Sequence, residues 1–423
     1  MKNNVIPLGA KADKATVRRH NLSLVLRTVH GTGEVTRAGI AARVGLTRAA
    51  VSSLVEQLLG YGFITEWGKT SSGQAGRPGT VLKVARTGPA GVGVEINVGH
   101  IAVCVVDLAG TDRVRLVEDF DSRGMQPSRV LARAARLTAR ALDSAAGQGL
   151  EPVGAHVAVP GLVTGGTVRQ APNLGWNRVA VEGVFAQALL ALRPLRALPV
   201  SSDNEANAAA LAELWYGAGT EGARSFLYLS GEVGIGGALV LKGELLRGAH
   251  GFAGEIGHMV VDPDGRPCRC GARGCLEQYA GQAALLSTAG LGADAGAPGV
   301  AELRRRARER DPSALAAMER AGRQLGVAVS GAVNLFDPDV VMLGGVYREL
   351  SEWLAPAVGR ELARRVVSGL WDRDRSRLRP ASPLSDAARG SAGVVVREVL
   401  ADPAAYGERG GSGPRRTAST AGR

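Results

Sequence analysis

Aromatic residues make up only 4% of this 423-residue chain. That is too few for the stacking platforms on which proteins hold single-stranded nucleic acid. No apolar run reaches the ~18 residues of a membrane-spanning helix, and the opening MKNNVIPLGAKADK carries no hydrophobic signal core. Both absences set the expectation of a cytoplasmic protein without a membrane partner. Cysteine is scarce too: four residues, three of them at Cys268, Cys270 and Cys275. With no secretory context, a disulfide framework is not expected. Acids are short in one region. Residues 1–90 hold 13 Lys and Arg against 4 Asp and Glu, in a chain whose net charge is +12. Residues 401–423 add four Arg against Asp402 and Glu408, so the stretch between is nearly neutral. A basic head on a neutral body is the electrostatic footprint of a nucleic-acid module joined to something else.

The length exceeds what one hydrophobic core fills and suits two or three domains. Hydrophobic content of 45% and charge of 21% are ordinary for a soluble protein. Residues 1–15 are expected to be disordered. From Thr16 to His30, Leu22, Val25, Leu26 and Val29 fall on one helical face. Thr36 caps a short helix through Val44, Gly45-Leu46 turns, and Thr47 caps a helix burying Val51, Leu54, Val55 and Leu58. This spacing predicts a helix-turn-helix that presents Thr47, Arg48, Ala49, Ser52 and Ser53 to a major groove. Two strands, Phe63–Trp67 and Thr80–Val84, flank the polar loop GKTSSGQAGRPG and complete a winged version. Arg77 in that loop suits a narrow minor groove.

Arg86-Thr87-Gly88-Pro89 reads as a short linker. Beyond it, Val92–Ile96 and Ile101–Leu108 predict a β-hairpin, Arg129–Ala146 a helix and Val153–Val159 a buried strand. Strands and helices in two halves give an α/β class. Residues 281–300, rich in Ala and Gly, read as loop or poor helix, and the tail GERGGSGPRRTASTAGR as disordered.

Chemistry concentrates between His258 and Glu277, HMVVDPDGRPCRCGARGCLE. Three thiols and an imidazole suit tetrahedral zinc, and a closed Cys3His set points to a structural ion, since a catalytic zinc keeps one position open. Unligated cysteines in a loop are the plain alternative. Ahead of them runs Gly248-Ala249-His250-Gly251-Phe252-Ala253-Gly254-Glu255-Ile256-Gly257-His258. Together these stretches closely resemble the ROK family (repressors, open reading frames and kinases), with its motifs GxxxxxAGExGH and CxCGxxGCxE. The resemblance extends over residues 16–400 and takes in the winged head, which the family's sugar kinases lack. It implies a two-lobed actin-like, ribonuclease-H-like ATPase fold at 88–402 behind a DNA-binding domain at 1–87, with a basic tail at 403–423. It also implies sugar contacts from Glu255, His258 and Glu277, with His258 shared with zinc. Gly161, Asn173 and Asn204 match further sugar positions, and Glu205 matches the catalytic base.

The family's kinases need two phosphate turns and that base. Where the resemblance implies a DxGGT loop this chain has Glu95-Ile96-Asn97-Val98-Gly99, and where it implies GTGxGxG it has Gly231-Glu232-Val233-Gly234-Ile235-Gly236-Gly237. Val98 offers phosphate no hydrogen bond, and Glu232 sets a carboxylate against it. In Asn204-Glu205-Ala206-Asn207 the base is one methylene longer than the family's aspartate. A displacement of about 1 Å can lower a rate ~100-fold. The expectation is a sugar-responsive repressor with a degenerate kinase site and no catalytic residue. Its partners would be double-stranded operator DNA and a sugar or sugar phosphate, and it would form a homodimer or homotetramer. The alternatives are an ATP-dependent sugar kinase carrying a DNA-binding head, and a DNA-binding protein that ignores sugar.

Overall fold

In a computed structural model of the protein, residues 13–69, 79–194, 197–371 and 375–410 are described. The head comprises α1 (Lys14–Thr32), β1 (Val35–Thr36), α2 (Arg37–Val44), α3 (Arg48–Gly60), β2 (Ile64–Lys69) and β3 (Thr80–Val84). Asp13 caps α1 by accepting from the Thr16 amide at 2.6 Å, so order begins before residue 15, earlier than the sequence suggests. Thr36 and Thr47 cap α2 and α3 through their hydroxyls, and the predicted apolar faces of all three helices are buried together. The strands form an antiparallel sheet in the order β1-β3-β2. The wing loop between β2 and β3, with Arg77, lies outside the described residues.

The body has two lobes of one topology. The first contains β4 (Gly88–Ile96), β5 (His100–Asp107), β6 (Asp112–Asp119), α4 (Pro127–Gly147) and β7 (Leu150–Val159). A small sheet of β8 (Leu162–Thr164), β9 (Thr167–Ala171) and β10 (Trp176–Val179) follows, then α5 (Val181–Leu192), β11 (Val200–Asn204) and α6 (Glu205–Tyr216). The second lobe contains β12 (Phe226–Gly231), β13 (Ile235–Leu241), β14 (Glu244–Leu245), α7 (Glu277–Ala280), α8 (Gln282–Thr288), α9 (Gly296–Arg308) and α10 (Pro312–Phe336). It ends with β15 (Val340–Gly345), α11 (Val346–Glu349), α12 (Ser351–Arg365) and β16 (Leu378–Pro380), after which α13 (Ala387–Ala401) and α14 (Pro403–Gly410) return to the first lobe and the head. The main sheets run β11-β7-β4-β5-β6 and β14-β13-β12-β15-β16. In each, the middle strand pairs antiparallel with its hairpin partner and parallel with the strand after the crossover. This duplicated pattern is the ribonuclease-H-like, actin-like arrangement.

α13 is the spine of the first lobe. A Cβ on Gly93 of β4 would meet the Ala388 carbonyl at 1.8 Å, and one on Gly390 would meet that of Ala208 in α6 at 1.8 Å. Backbone therefore touches backbone on both sides of α13. Its C-terminal half shares one apolar core with the head: Leu22, Val25 and Leu58 pack with Cys104 and Val106 of β5 and with Val396 and Val399 of α13. Ser23 donates to the Leu400 carbonyl at 2.8 Å, and Arg19 pairs with Asp402.

Three expectations need correcting. Gly88 and Pro89 belong to β4, with the Gly88 amide donating to the Gly149 carbonyl at 2.8 Å, so of the expected linker Arg86 and Thr87 remain. The tail does not become irregular at residue 403. α14 continues to Gly410 and buries Ala404 against the head, while 411–423 lie outside the described residues. The Ala- and Gly-rich stretch 281–300 contains α8 and the start of α9, because Leu285, Leu286 and Leu303 are buried in one core with α10. Tertiary packing overrides weak intrinsic propensity here. No single helix among the described residues is long and apolar enough to cross a membrane.

Candidate functional site

The cysteine loop is a compact knuckle on the second lobe. The Cys268 amide donates to Ala272 O at 2.8 Å, the Gly271 amide to Cys268 O at 3.0 Å, and the Val261 amide to Gly274 O at 2.9 Å. These turns bring one ligand atom each from His258, Cys268, Cys270 and Cys275 within 4.8 Å of one another. Cys270 Sγ and Cys275 Sγ are 3.7 Å apart, and Cys268 Sγ and His258 Nδ1 3.9 Å. A tetrahedron with metal–sulfur bonds near 2.3 Å has edges of about 3.8 Å. The donor set and its spacing therefore fit a tetrahedral metal ion. Gln278 Nε2 lies 3.6 Å from Cys268 Sγ, a hydrogen bond of the kind that orients a ligating thiolate.

The same knuckle builds one wall of a cavity. His258 directs Nδ1 at the thiols and Nε2 toward Glu255, whose Oε2 is 3.9 Å away. Glu277 opens α7 directly after Cys275 and Leu276, and accepts from the Ile235 amide at 3.2 Å. Gly234 leaves room for the tips of Glu277 and Asn173, since a Cβ there would meet Glu277 Oε2 at 2.3 Å and Asn173 Nδ2 at 2.7 Å and push both aside. Across the cavity stand Gly161, Asn173, Asn204 and Glu205, so all seven residues expected to hold sugar line one space. Their positions differ in what they leave free. Asn204 caps α6, its Oδ1 accepting from Ala206 and Asn207, and its Nδ2 donates to Gly161 O at 2.9 Å. One amide hydrogen remains for a ligand. Glu205 has a buried Oε2 with no hydrogen-bond partner among the described residues. Burial, then Glu255, Glu95 and Glu232, raise its pKa to about 8.

Several partners gave no signal in the sequence. Asp203 is buried and pairs with Arg247 at 2.6 Å, joining the end of β11 to the loop that carries Glu255. Asp203 also accepts from the Asn204 amide at 2.8 Å and from Asn207 Nδ2 at 2.9 Å. Arg269 enters the cavity wall 3.5 Å from Asn173 Oδ1. Where the sequence resembles phosphate turns, carboxylates fill the space. Glu95 lies 3.4 Å from His100 Nε2 and accepts from the Ala388 amide of α13. Asp386 caps α13 through the Arg389 amide at 2.9 Å and pairs with Arg115 at 2.5 Å. The Val98 amide is taken by the Asn97 side chain at 2.6 Å. Burial and then Glu95 raise Glu232 to about 7. Burial lowers His100, but Glu95 outweighs it and lifts the imidazole to about 9.

On the head, α2 and α3 turn through 116°, within the roughly 90–120° of a helix-turn-helix. Thr47, Arg48, Ala49 and Ser53 are exposed and Ser52 is half-buried. Thr47 Oγ1 is engaged as the cap of α3. Ser53 accepts from Arg18 Nη2 at 3.3 Å, which brings Arg18 beside the α3 surface.

Residues 91–398 match the ROK family. The chain is 30% identical over 408 residues to a protein of Caldicellulosiruptor sp. (strain Rt8B.4) named putative xylose repressor, covering 92% of this chain and 98% of that one. It is 28% identical over 394 residues to the xylose repressor of Bacillus subtilis (strain 168), again covering 92% and 98%. A glucokinase of Halalkalibacterium halodurans is 34% identical over 209 residues, 46% of this chain and 61% of that one. Among solved structures, a ROK family transcriptional regulator described as a homologue of the E. coli MLC protein superposes with a TM-score of 0.74, covering 91% and 97% at 23% identity. A ROK family glucokinase from Streptomyces griseus superposes with a TM-score of 0.59, covering 72% and 98% at 26% identity. The curated relatives matched over nearly the whole chain, head included, are repressors by name, and the glucokinases match a smaller share of it. The chain belongs to the ROK family.

Proposed function

We propose that this protein is a sugar-responsive DNA-binding transcriptional regulator, a repressor of carbohydrate-metabolism genes whose kinase site has degenerated. The observation that carries this reading is a contrast within one cleft. The sugar-facing residues converge on a cavity, while both phosphate-facing turns present carboxylates or apolar groups. His258, Cys268, Cys270 and Cys275 hold one structural zinc, which fixes the loop bearing Glu255, His258 and Glu277. Gly161, Asn173, Asn204 and Glu205 complete the sugar site. Carboxylates suit that task, because each accepts hydrogen bonds from neighbouring hydroxyls.

Coupling runs through packed backbone. Sugar contacts Asn204 and Glu205 at the N-terminus of α6, α6 abuts α13 at Gly390, and the far end of α13 shares the head's core. Closing the lobes on a sugar reorients this path and changes the spacing of two heads in a homodimer, or within a homotetramer. The heads read half-sites with Thr47, Arg48, Ser52 and Ser53 in the major groove and Arg77 in the minor groove. Sugar releases the DNA.

The names of the relatives make D-xylose the first ligand to try. The test is operator selection from random duplexes, then fluorescence anisotropy with and without D-xylose or D-glucose. Ligand coupling of about 1–3 kcal/mol would shift affinity 5- to 150-fold. Selected DNA whose affinity ignores every sugar tried refutes the reading. The kinase alternative draws on the glucokinase relatives and on the carboxylate of Glu205. It predicts sugar-dependent ADP release on the order of 1 s⁻¹ or faster, and our reading predicts none.

A further inference from the structure

The sugar cavity continues past Glu205 and Glu232 into a second cavity of about 120 Å3, and both residues line the two spaces. We propose that Glu232, seconded by Glu205, is the specificity filter of this site, admitting a sugar that presents a hydroxyl to the junction and rejecting one that presents phosphate there. The inference rests on the reading of the first cavity as a sugar site and names the ligand class as an unphosphorylated sugar.

The first ground is charge. Six carboxyl groups face the joined cavities: Glu95, Glu205, Glu232, Glu255, Glu277 and Asp386. Glu95 and Asp386 are paired with His100 and Arg115, while Glu205, raised to about 8, and Glu232, raised to about 7, carry full charge above those values. Against them stand two guanidinium groups, Arg269 and Arg348. The nearby cations are already neutralised from within, His100 by Glu95 and Arg115 by Asp386.

The second ground is the supply of backbone donors. A helix N-terminus is where a fold ordinarily receives phosphate. Here the start of α13 gives its Ala388 and Arg389 amides to Glu95 and Asp386. The Val98 amide goes to its neighbour's side chain, and the Glu232 amide donates to Gly234 O at 2.9 Å. The chain has filled its own anion sites.

The third ground is Glu232 itself. Its carboxylate makes no hydrogen bond or ion pair with any described residue. Glu232, raised to about 7, is ionised above neutral pH and then only accepts. A sugar hydroxyl can donate to it, whereas a phosphate dianion offers acceptors and like charge. Such a juxtaposition in a partly dehydrated site weakens binding by about 100-fold or more.

Isothermal titration of the full chain at pH 8.5, where Glu232 and Glu205 are both ionised, decides the matter, with D-xylose, D-glucose and N-acetyl-D-glucosamine against glucose 6-phosphate and N-acetylglucosamine 6-phosphate. The expected result is binding of at least one neutral sugar, with every phosphate at least ~100-fold weaker than the tightest of them. In Glu232→Gln, and in Glu232→Ser as a second variant should the first misfold, that gap narrows by ~10-fold or more. A phosphate that binds as tightly as the best neutral sugar overturns the filter, and so does an unchanged gap in the variants. Binding of neither class overturns the sugar-sensor reading itself, and the filter with it.

Discussion

Replacing Glu205 by Gln should flatten the pH dependence of stability on the alkaline side of neutrality. The Glu205 pKa lies near 8 in the folded protein and near 4.3 in an unfolded chain. Between those values the folded state holds a proton that the unfolded state has released. Stability therefore falls as pH rises, by at most about 1.4 kcal/mol per pH unit. Other groups share the field. His100, lifted to about 9, acts in the same direction above its unfolded value near 6.5. Buried His156, depressed to about 4, acts in the opposite direction, but only below about 6.5. The window from pH 6.5 to 8 is thus free of His156, and subtracting the variant's curve removes the His100 contribution. Glu205 borders a solvent-accessible cavity, and allowing for that screening we expect wild type to lose about 1 kcal/mol more than Glu205→Gln across the window. Urea unfolding followed by tryptophan fluorescence at half-unit pH steps measures this. Glu232→Gln supplies a control whose difference from wild type ends near pH 7. Parallel curves for wild type and Glu205→Gln between pH 6.5 and 8 would refute the assigned environment of Glu205.

Metal analysis of protein purified without chelator should find about one zinc per chain, and Cys270→Ser should lower metal content and sugar response together, because one loop carries both ligand sets. Arg247→Met leaves buried Asp203 without its cation, so sugar affinity should weaken about 10-fold, equivalent to ~1–2 kcal/mol, with bound metal unchanged in the same preparations. Arg48→Ala should relax sequence preference in operator selection by about 1–3 kcal/mol at one base position; an unaltered selected sequence would place Arg48 away from the bases.

What could be read from the chain was local. The period of Leu22, Val25, Leu26 and Val29, the hydroxyl caps Thr36 and Thr47, and the spacing of Cys268, Cys270 and Cys275 each report on residues near in sequence, where helix geometry or a chelate loop fixes the relation. The convergence of Gly161, Asn173, Asn204 and Glu255 came from family motifs, since periodicity does not place strands from different halves side by side. The partners that neutralise the phosphate end were invisible for the same reason. Arg115 and Asp386 are 271 positions apart, and Ser23 and Leu400 are 377 apart. Composition misled at residues 281–300, where Leu285, Leu286 and Leu303 found a surface to bury and made helix from a Gly-rich stretch. It misled again at the tail, where Ala404 completes the head's core.

In the proposed regulator, a degenerate phosphate end would have a thermodynamic consequence. A kinase that doubled as a sensor would convert its ligand, so occupancy would depend on nucleotide supply and turnover as well as on sugar. With Glu95, Glu232 and Asp386 at the proposed phosphate end, occupancy would reduce to mass action between one sugar and one site. The response of DNA binding is then bounded by the differential affinity of the sugar for the two lobe arrangements. By reciprocity, operator DNA changes sugar affinity by the same factor. The embedded position of α13 serves this equilibrium. A helix in backbone contact with β4 on one side and α6 on the other cannot absorb a displacement of either by repacking flexible side chains. It has to move with them, and the head packed on its C-terminal half moves as well. A substitution that loosens this contact should therefore reduce the sugar's effect on DNA more than it reduces either binding event alone.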